Sequence, residues 1–164
     1  MMKRIEANPE AMLQWGLEQY DKGDYISAFE YYTRAAELGN ADAHGELADL
    51  YLDGHGVEKD KGKEIYHLEE AAIGGLPRAR YNLGCHEWNN GNIERAVKHW
   101  IIAANQGSDE SIQLLMENFK RGLVKKEDLA AALRAQQAAV DATKSPQREV
   151  VEEYRRKWSI VEPK

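Results

Sequence analysis

The segment Asp53–Glu64 reads DGHGVEKDKGKE. Its glycines and lysines allow two readings, and each leads to a different fold. As a phosphate-binding loop it would belong to a nucleotide enzyme with a central sheet. As a connector between helices it would belong to an all-α repeat. A Walker loop needs Gly-x-x-x-x-Gly-Lys-Ser/Thr after a strand, so that amides surround the phosphate and the hydroxyl meets magnesium. Here five residues separate Gly56 from Gly62, and Lys63 is followed by Glu64. A carboxylate in place of the hydroxyl repels phosphate. The flanking sequence has helical rather than strand periodicity. The segment therefore reads as a structural loop.

Outward from this loop the chain repeats itself. Ala35-Ala36, Ala71-Ala72 and Ala103-Ala104 stand ahead of Gly39, Gly75 and Gly107, glycines that are 36 and then 32 residues apart. A fainter echo is Ala138-Ala139. Ala11, Ala43, Ala79 and Ser111 each precede a large apolar residue by four positions: Trp15, Leu47, Leu83 and Leu115. Gly16, Ala48, Gly84 and Met116 follow directly. An aromatic then stands three residues before a glycine in every copy: Tyr20–Gly23, Tyr51–Gly54, Trp88–Gly91 and Phe119–Gly122. Self-similarity at this period marks a repeat architecture.

Each unit reads as two helices. The second carries Phe29, Tyr32, Ala35 and Ala36 in unit one, Ile65, Leu68, Ala71 and Ala72 in unit two, and Val97, Trp100, Ala103 and Ala104 in unit three. That spacing keeps one helical face apolar, and the glycines suit left-handed caps. Asn8-Pro9 and Ser145-Pro146 read as an N-cap followed by proline at the first helical position. The expected organisation is an N-terminal tail over 1–7, repeats over about 8–40, 41–75, 76–107 and 108–142, and a C-terminal capping helix over 143–164. That last helix would present Val150, Val151, Tyr154 and Trp158 on one face.

These residues resemble the Sel-1-like repeat family, a branch of the tetratricopeptide superfamily. The likeness is clearest over Ala41–Gly75, ADAHGELADLYLDGHGVEKDKGKEIYHLEEAAIGG, where Gly54, Gly56, Val57 and Asp60 fall where the family has them. Leu47-Ala48 replaces the usual Leu-Gly. The wording of unit three and of the C-terminal region is also similar to repeat chains of diatoms and related algae. The resemblance implies an all-α, right-handed α-solenoid of about four helix-turn-helix repeats. It implies a binding scaffold rather than an enzyme, since family members are adaptors in protein-complex assembly.

Composition narrows the partner. The chain has 164 residues, 43% hydrophobic, with a net charge of −6. An acidic chain repels a polyphosphate backbone, so nucleic acid is not expected. The longest central apolar run, Trp100–Ala104, is far short of a membrane span. MMKRIEANPEA at the N-terminus lacks the apolar core of a signal peptide. The lone Cys85 fits a reducing compartment, the cytoplasm or nucleus. No cofactor is expected, and the chain is expected to act as a monomer.

Chemical sites are weak. Cys85 and His86 are neighbours on a helix and project about 100° apart. His67 and His99 occupy equivalent positions in successive second helices, about 10 Å apart. Neither set converges as metal ligands must, and a nucleophile needs a base within reach. A hydrolase-like enzyme using Cys85 or a carboxylate pair is the alternative to a scaffold. In the superfamily, first helices line the concave face. The candidate partner-binding groove on that face comprises Leu13, Leu17, Asp49, Arg78, Tyr81, Cys85 and Glu117. Leu13, Leu17 and Tyr81 are apolar anchors, Asp49 and Glu117 would hold a basic residue, and Gly45 would leave room for a partner side chain. The expected ligand is a protein or peptide segment with basic and apolar residues.

Overall fold

The structure is a computed structural model that describes residues 8–142, together with Glu153 and Lys157, which are helical and exposed. The expected tail over 1–7 and the body of the expected capping helix lie outside the described residues. Among the described residues there are eight helices and no strand. They are α1 (Pro9–Asp21), α2 (Tyr25–Glu37), α3 (Ala41–Asp53), α4 (Lys61–Ile73), α5 (Pro77–Asn89), α6 (Ile93–Asn105), α7 (Asp109–Lys120) and α8 (Lys126–Ala142).

Short polar side chains start most of them by binding amides that the helix leaves unpaired. Asn8 Oδ1 accepts from the amides of Glu10 and Ala11 at 3.0 and 3.2 Å. Asp24, Asn40, Asp60 and Ser108 do the same for α2, α3, α4 and α7. α5 begins instead with Pro77, which has no amide to satisfy. Each helix packs on the next in sequence from α1 to α8, and α8 also packs on α6. This neighbour-to-neighbour stacking is that of an α-solenoid.

A size rule joins the two helices of a repeat. The small residue after the landmark apolar residue faces the eighth residue of the second helix. A Cβ on Gly16 would stand 2.5 Å from the Tyr32 ring, and one on Gly84 would stand 2.4 Å from Trp100 Nε1. Ala48 is paired with the smaller Leu68 in one core cluster. Tyr32, Leu68 and Trp100 are thereby 0%, 3% and 2% exposed. The fourth repeat departs from this rule, since Met116 and Leu133 are both exposed. The echo at Ala138-Ala139 is not a core pair either. Ala132 is the buried alanine of α8, which runs 17 residues and starts after a longer loop.

Large landmark residues behave likewise. Leu47, Leu83 and Leu115 are buried, whereas Trp15 is half-buried against Tyr31 and Met12 fills the first core. Of the aromatics before glycines, Tyr51 is buried edge-on to Phe29, Tyr20 and Trp88 pack partly against core clusters, and Phe119 is exposed.

The Asp53–Asp60 loop is a strap onto the first repeat. Gly54 caps α3 at φ 72°, and its amide donates to the Leu50 carbonyl at 2.9 Å. His55 stacks on Tyr25 with ring centroids 4.4 Å apart. Val57 packs against the core around Tyr32. At Gly56 (φ 71°) a Cβ would meet the Tyr25 carbonyl oxygen at 2.7 Å, so this glycine is required by the close approach of two backbones. The amides of His55 and Asp60 are taken by α3 carbonyls. Those amides are thus already used within the fold and are not free for a phosphate.

Candidate functional site: a cleft between α5 and α7

α5 and α7 both pack on α6, and the gap between them is an open cleft. Its walls are Tyr81, Cys85 and Trp88 from α5 and Leu114, Glu117 and Arg121 from α7 and its cap, with Trp100 of α6 below, around about 240 Å³. A second cleft of about 380 Å³ adjoins it between Arg78, Tyr81, Ser108 and Glu110. Tyr81 lines both.

The walls are held from behind. Trp88 lies 5.5 Å from Trp100 between centroids, and the Arg121 guanidinium sits 5.5 Å over the Trp88 ring. Asn118, 4% exposed, donates to the Leu114 carbonyl at 2.8 Å and accepts from Arg121 at 3.4 Å. The aromatic surface is therefore edged by a fixed cation, Arg121, and by the carboxylates of Glu117 and, in the adjoining cleft, Glu110.

Of the expected groove, Tyr81, Cys85 and Glu117 come together here, and Arg78 borders the adjoining cleft. Leu13 and Leu17 do not join them. They are half-buried in the first repeat, packed against the core around Met12 and Tyr32. Asp49 is not a free carboxylate. Arg78 reaches across from α5 and donates to Asp49 at 2.5 Å and to Glu46 at 3.1 Å, tying the second repeat to the third. Gly45 offers no room, because a Cβ there would stand 2.8 Å from both Arg78 and Leu76. Trp88, Asn118 and Arg121 were missed. Trp88 reads as a core landmark in sequence, and Arg121 lies just beyond the helical stripe that defines the groove.

Cys85 has no neighbouring base. Burial raises its thiol above the ordinary range, and Tyr81 and Trp100 pull it only partway back. A raised pKa keeps the sulfur protonated and a poor nucleophile. His86 turns the other way, its Nε2 2.8 Å from Glu64 Oε1. His67 meets His44 rather than His99, with Nδ1 atoms 2.9 Å apart, and stacks on Tyr51. Burial, with His44 and Lys63 nearby, lowers its pKa to about 4. No group of three or more metal-ligating side chains occurs among the described residues. No helix there is long and apolar enough to cross a membrane.

The sequence model of the Sel1 repeat matches residues 9–40, 41–76 and 77–108. Chitin synthase regulatory factor 4 of Schizosaccharomyces pombe is 33% identical over 91 residues, 54% of this chain and 14% of the yeast protein. A Sel1 repeat protein from Oxalobacter formigenes superposes with a TM-score of 0.65 at 24% identity, covering 84% of this chain and 58% of the other. A protective antigen of uropathogenic Escherichia coli strains, which displays an SLR fold, gives a TM-score of 0.66 at 28% identity, covering 84% and 31%. The matches span between 14% and 34% of the length of the curated relatives.

Proposed function

The chain belongs to the Sel1 repeat family, and on that premise we propose that it is a non-catalytic protein-interaction module whose first helices receive a segment of a partner protein. The observation that carries this reading is Tyr81, which lines both clefts between α5 and α7. Buried aromatic anchors beside well-packed walls are where interfaces concentrate their affinity. Cys85 and Leu114 extend the apolar surface. Glu110 and Glu117 are the carboxylates for a basic ligand residue, because Asp49 is already held by Arg78. The preferred ligand has an apolar or aromatic side chain next to Lys or Arg.

Peptides selected from a random display library against the folded chain test this. Those enriched for an apolar–basic pair should lose at least tenfold affinity in Tyr81→Ala, roughly 1–2 kcal/mol for an anchor of this kind. Glu117→Lys should weaken them further, with an effect that shrinks as salt is raised. Equal binding by wild type and a folded Tyr81→Ala/Glu117→Lys variant would move the interface elsewhere.

A further inference from the structure

A third pocket opens on another face of α5, between α4 and α6, and holds about 340 Å³. Arg80 and His99 line it, with Ile65, Ile73, Glu69 and Glu87 around them. Arg80 makes no hydrogen bond or ion pair with any described residue, and its Nε is buried without a partner. His99 Nδ1 is buried and unpartnered as well. Two residues from adjacent helices, each with an unpartnered buried nitrogen, thus line one cavity. Native proteins rarely leave such groups unsatisfied, and each exception calls for an explanation.

We propose that this pocket binds a carboxylate carried next to an aliphatic side chain on a partner polypeptide. A guanidinium offers paired, parallel N–H donors, which match the two oxygens of one carboxylate. His99 supplies a third donor when its Nδ1 carries the proton. Burial, reinforced by Arg80, lowers the His99 pKa, so the neutral ring binds without a second charge. The local balance selects the anion. Arg80 and Arg95 face Glu69 and Glu87, and Glu87 already accepts from Asn92 at 2.7 Å and pairs with Arg95 at 3.6 Å. The two arginines and two glutamates of the lining balance, so a monoanion suits the site better than a phosphate dianion, which the two glutamates repel more strongly. Ile73 is 76% exposed beside Ile65 and forms the shelf for the aliphatic neighbour.

Nitrogen-15 NMR on the intact chain tests the assignment, reading the Arg80 Nε–H and His99 ring signals. The probes are acetyl-alanyl-leucine, which has a free C-terminal carboxylate, and acetyl-leucyl-aspartate diamide blocked at its C-terminus. Acetyl-alanyl-leucinamide is the neutral control, and inorganic phosphate is the dianion. The expected result is saturable shifts of both signals by at least one carboxylate peptide, with a dissociation constant on the order of 1–10 mM for so small a ligand. The stronger of the two peptides identifies a terminal or a side-chain carboxylate. Arg80→Gln should abolish the His99 response, and Arg80→Lys should weaken it by losing the fork. Equal shifts from the neutral amide, tighter binding of phosphate, no shift at tens of millimolar, or an unchanged His99 response in folded Arg80→Gln would each overturn the proposal.

Discussion

Gly84→Ala should destabilise the chain although it replaces glycine by the best helix former. In an exposed helix that exchange stabilises by about 1 kcal/mol. At position 84 the new methyl would stand 2.4 Å from Trp100 Nε1 and 2.6 Å from its Cδ1. Trp100 is 2% exposed and packed against Trp88, so the ring has little room to retreat. Overpacking of this kind costs about 1–3 kcal/mol, and the rigidity of the indole places it near the upper end. The net is a loss of about 1–2 kcal/mol, or a fall in melting temperature of roughly 2–8 °C for a chain of this size.

The second repeat supplies the control. It solves the same contact with Ala48 against Leu68, a larger small residue and a smaller large one. Trp100→Leu alone should cost several kcal/mol through the cavity it leaves, on the order of 2–4. The double variant Gly84→Ala/Trp100→Leu installs the second repeat's pairing in the third. It should be more stable than the sum of the single losses by about 1 kcal/mol or more, a coupling typical of touching residues. Urea titrations of the four proteins, read by circular dichroism, give this coupling directly. A Gly84→Ala variant as stable as wild type, or strictly additive losses, would refute the size rule.

Other expectations are smaller in scope. Glu64 is 4% exposed at the position that Ala28 and Ala96 occupy in other repeats, and Glu64→Ala should cost about 1–3 kcal/mol by orphaning His86. Glu64→Ala/His86→Leu should recover most of that, as chemical denaturation of both variants will show. His67 has a folded pKa of about 4, below its usual value, so the folded state binds fewer protons than the unfolded chain between those values. Its contribution is therefore intact above about pH 6.5 and falls as pH drops toward 4, and His67→Phe should flatten that part of the stability–pH curve measured against wild type. Removal of residues 145–164 should lower solubility and melting temperature if they cover Met116 and Leu133. Unchanged light scattering and melting would count against that cover.

The difference between what the sequence shows and what it hides follows from the range of the interactions. Ala35-Ala36, Ala71-Ala72, Ala103-Ala104 and the turn glycines repeat because each copy meets the same local demand, so periodicity alone exposes the solenoid. Burial departs from the periodic pattern at the two ends for a physical reason. Trp15 and Met116 occupy landmark positions, but the described chain has no repeat before the one and none after the other, so burial does not follow the pattern. The groove was only partly legible because a helical stripe states which residues share a face, not which of them are already engaged. Asp49 and Arg78 lie on that stripe, yet they are paired across 29 residues of chain, which removes the charge that Asp49 alone would offer. Arg121 lies one turn beyond the stripe, at the cap of α7, and edges the cleft with a direction set by Asn118 and the Trp88 face. A charge belongs to a binding surface only where the fold leaves it unspent. By that criterion the proposed recognition rests on Glu110, Glu117 and Arg80, whereas Asp49 and Arg78 hold the second and third repeats together.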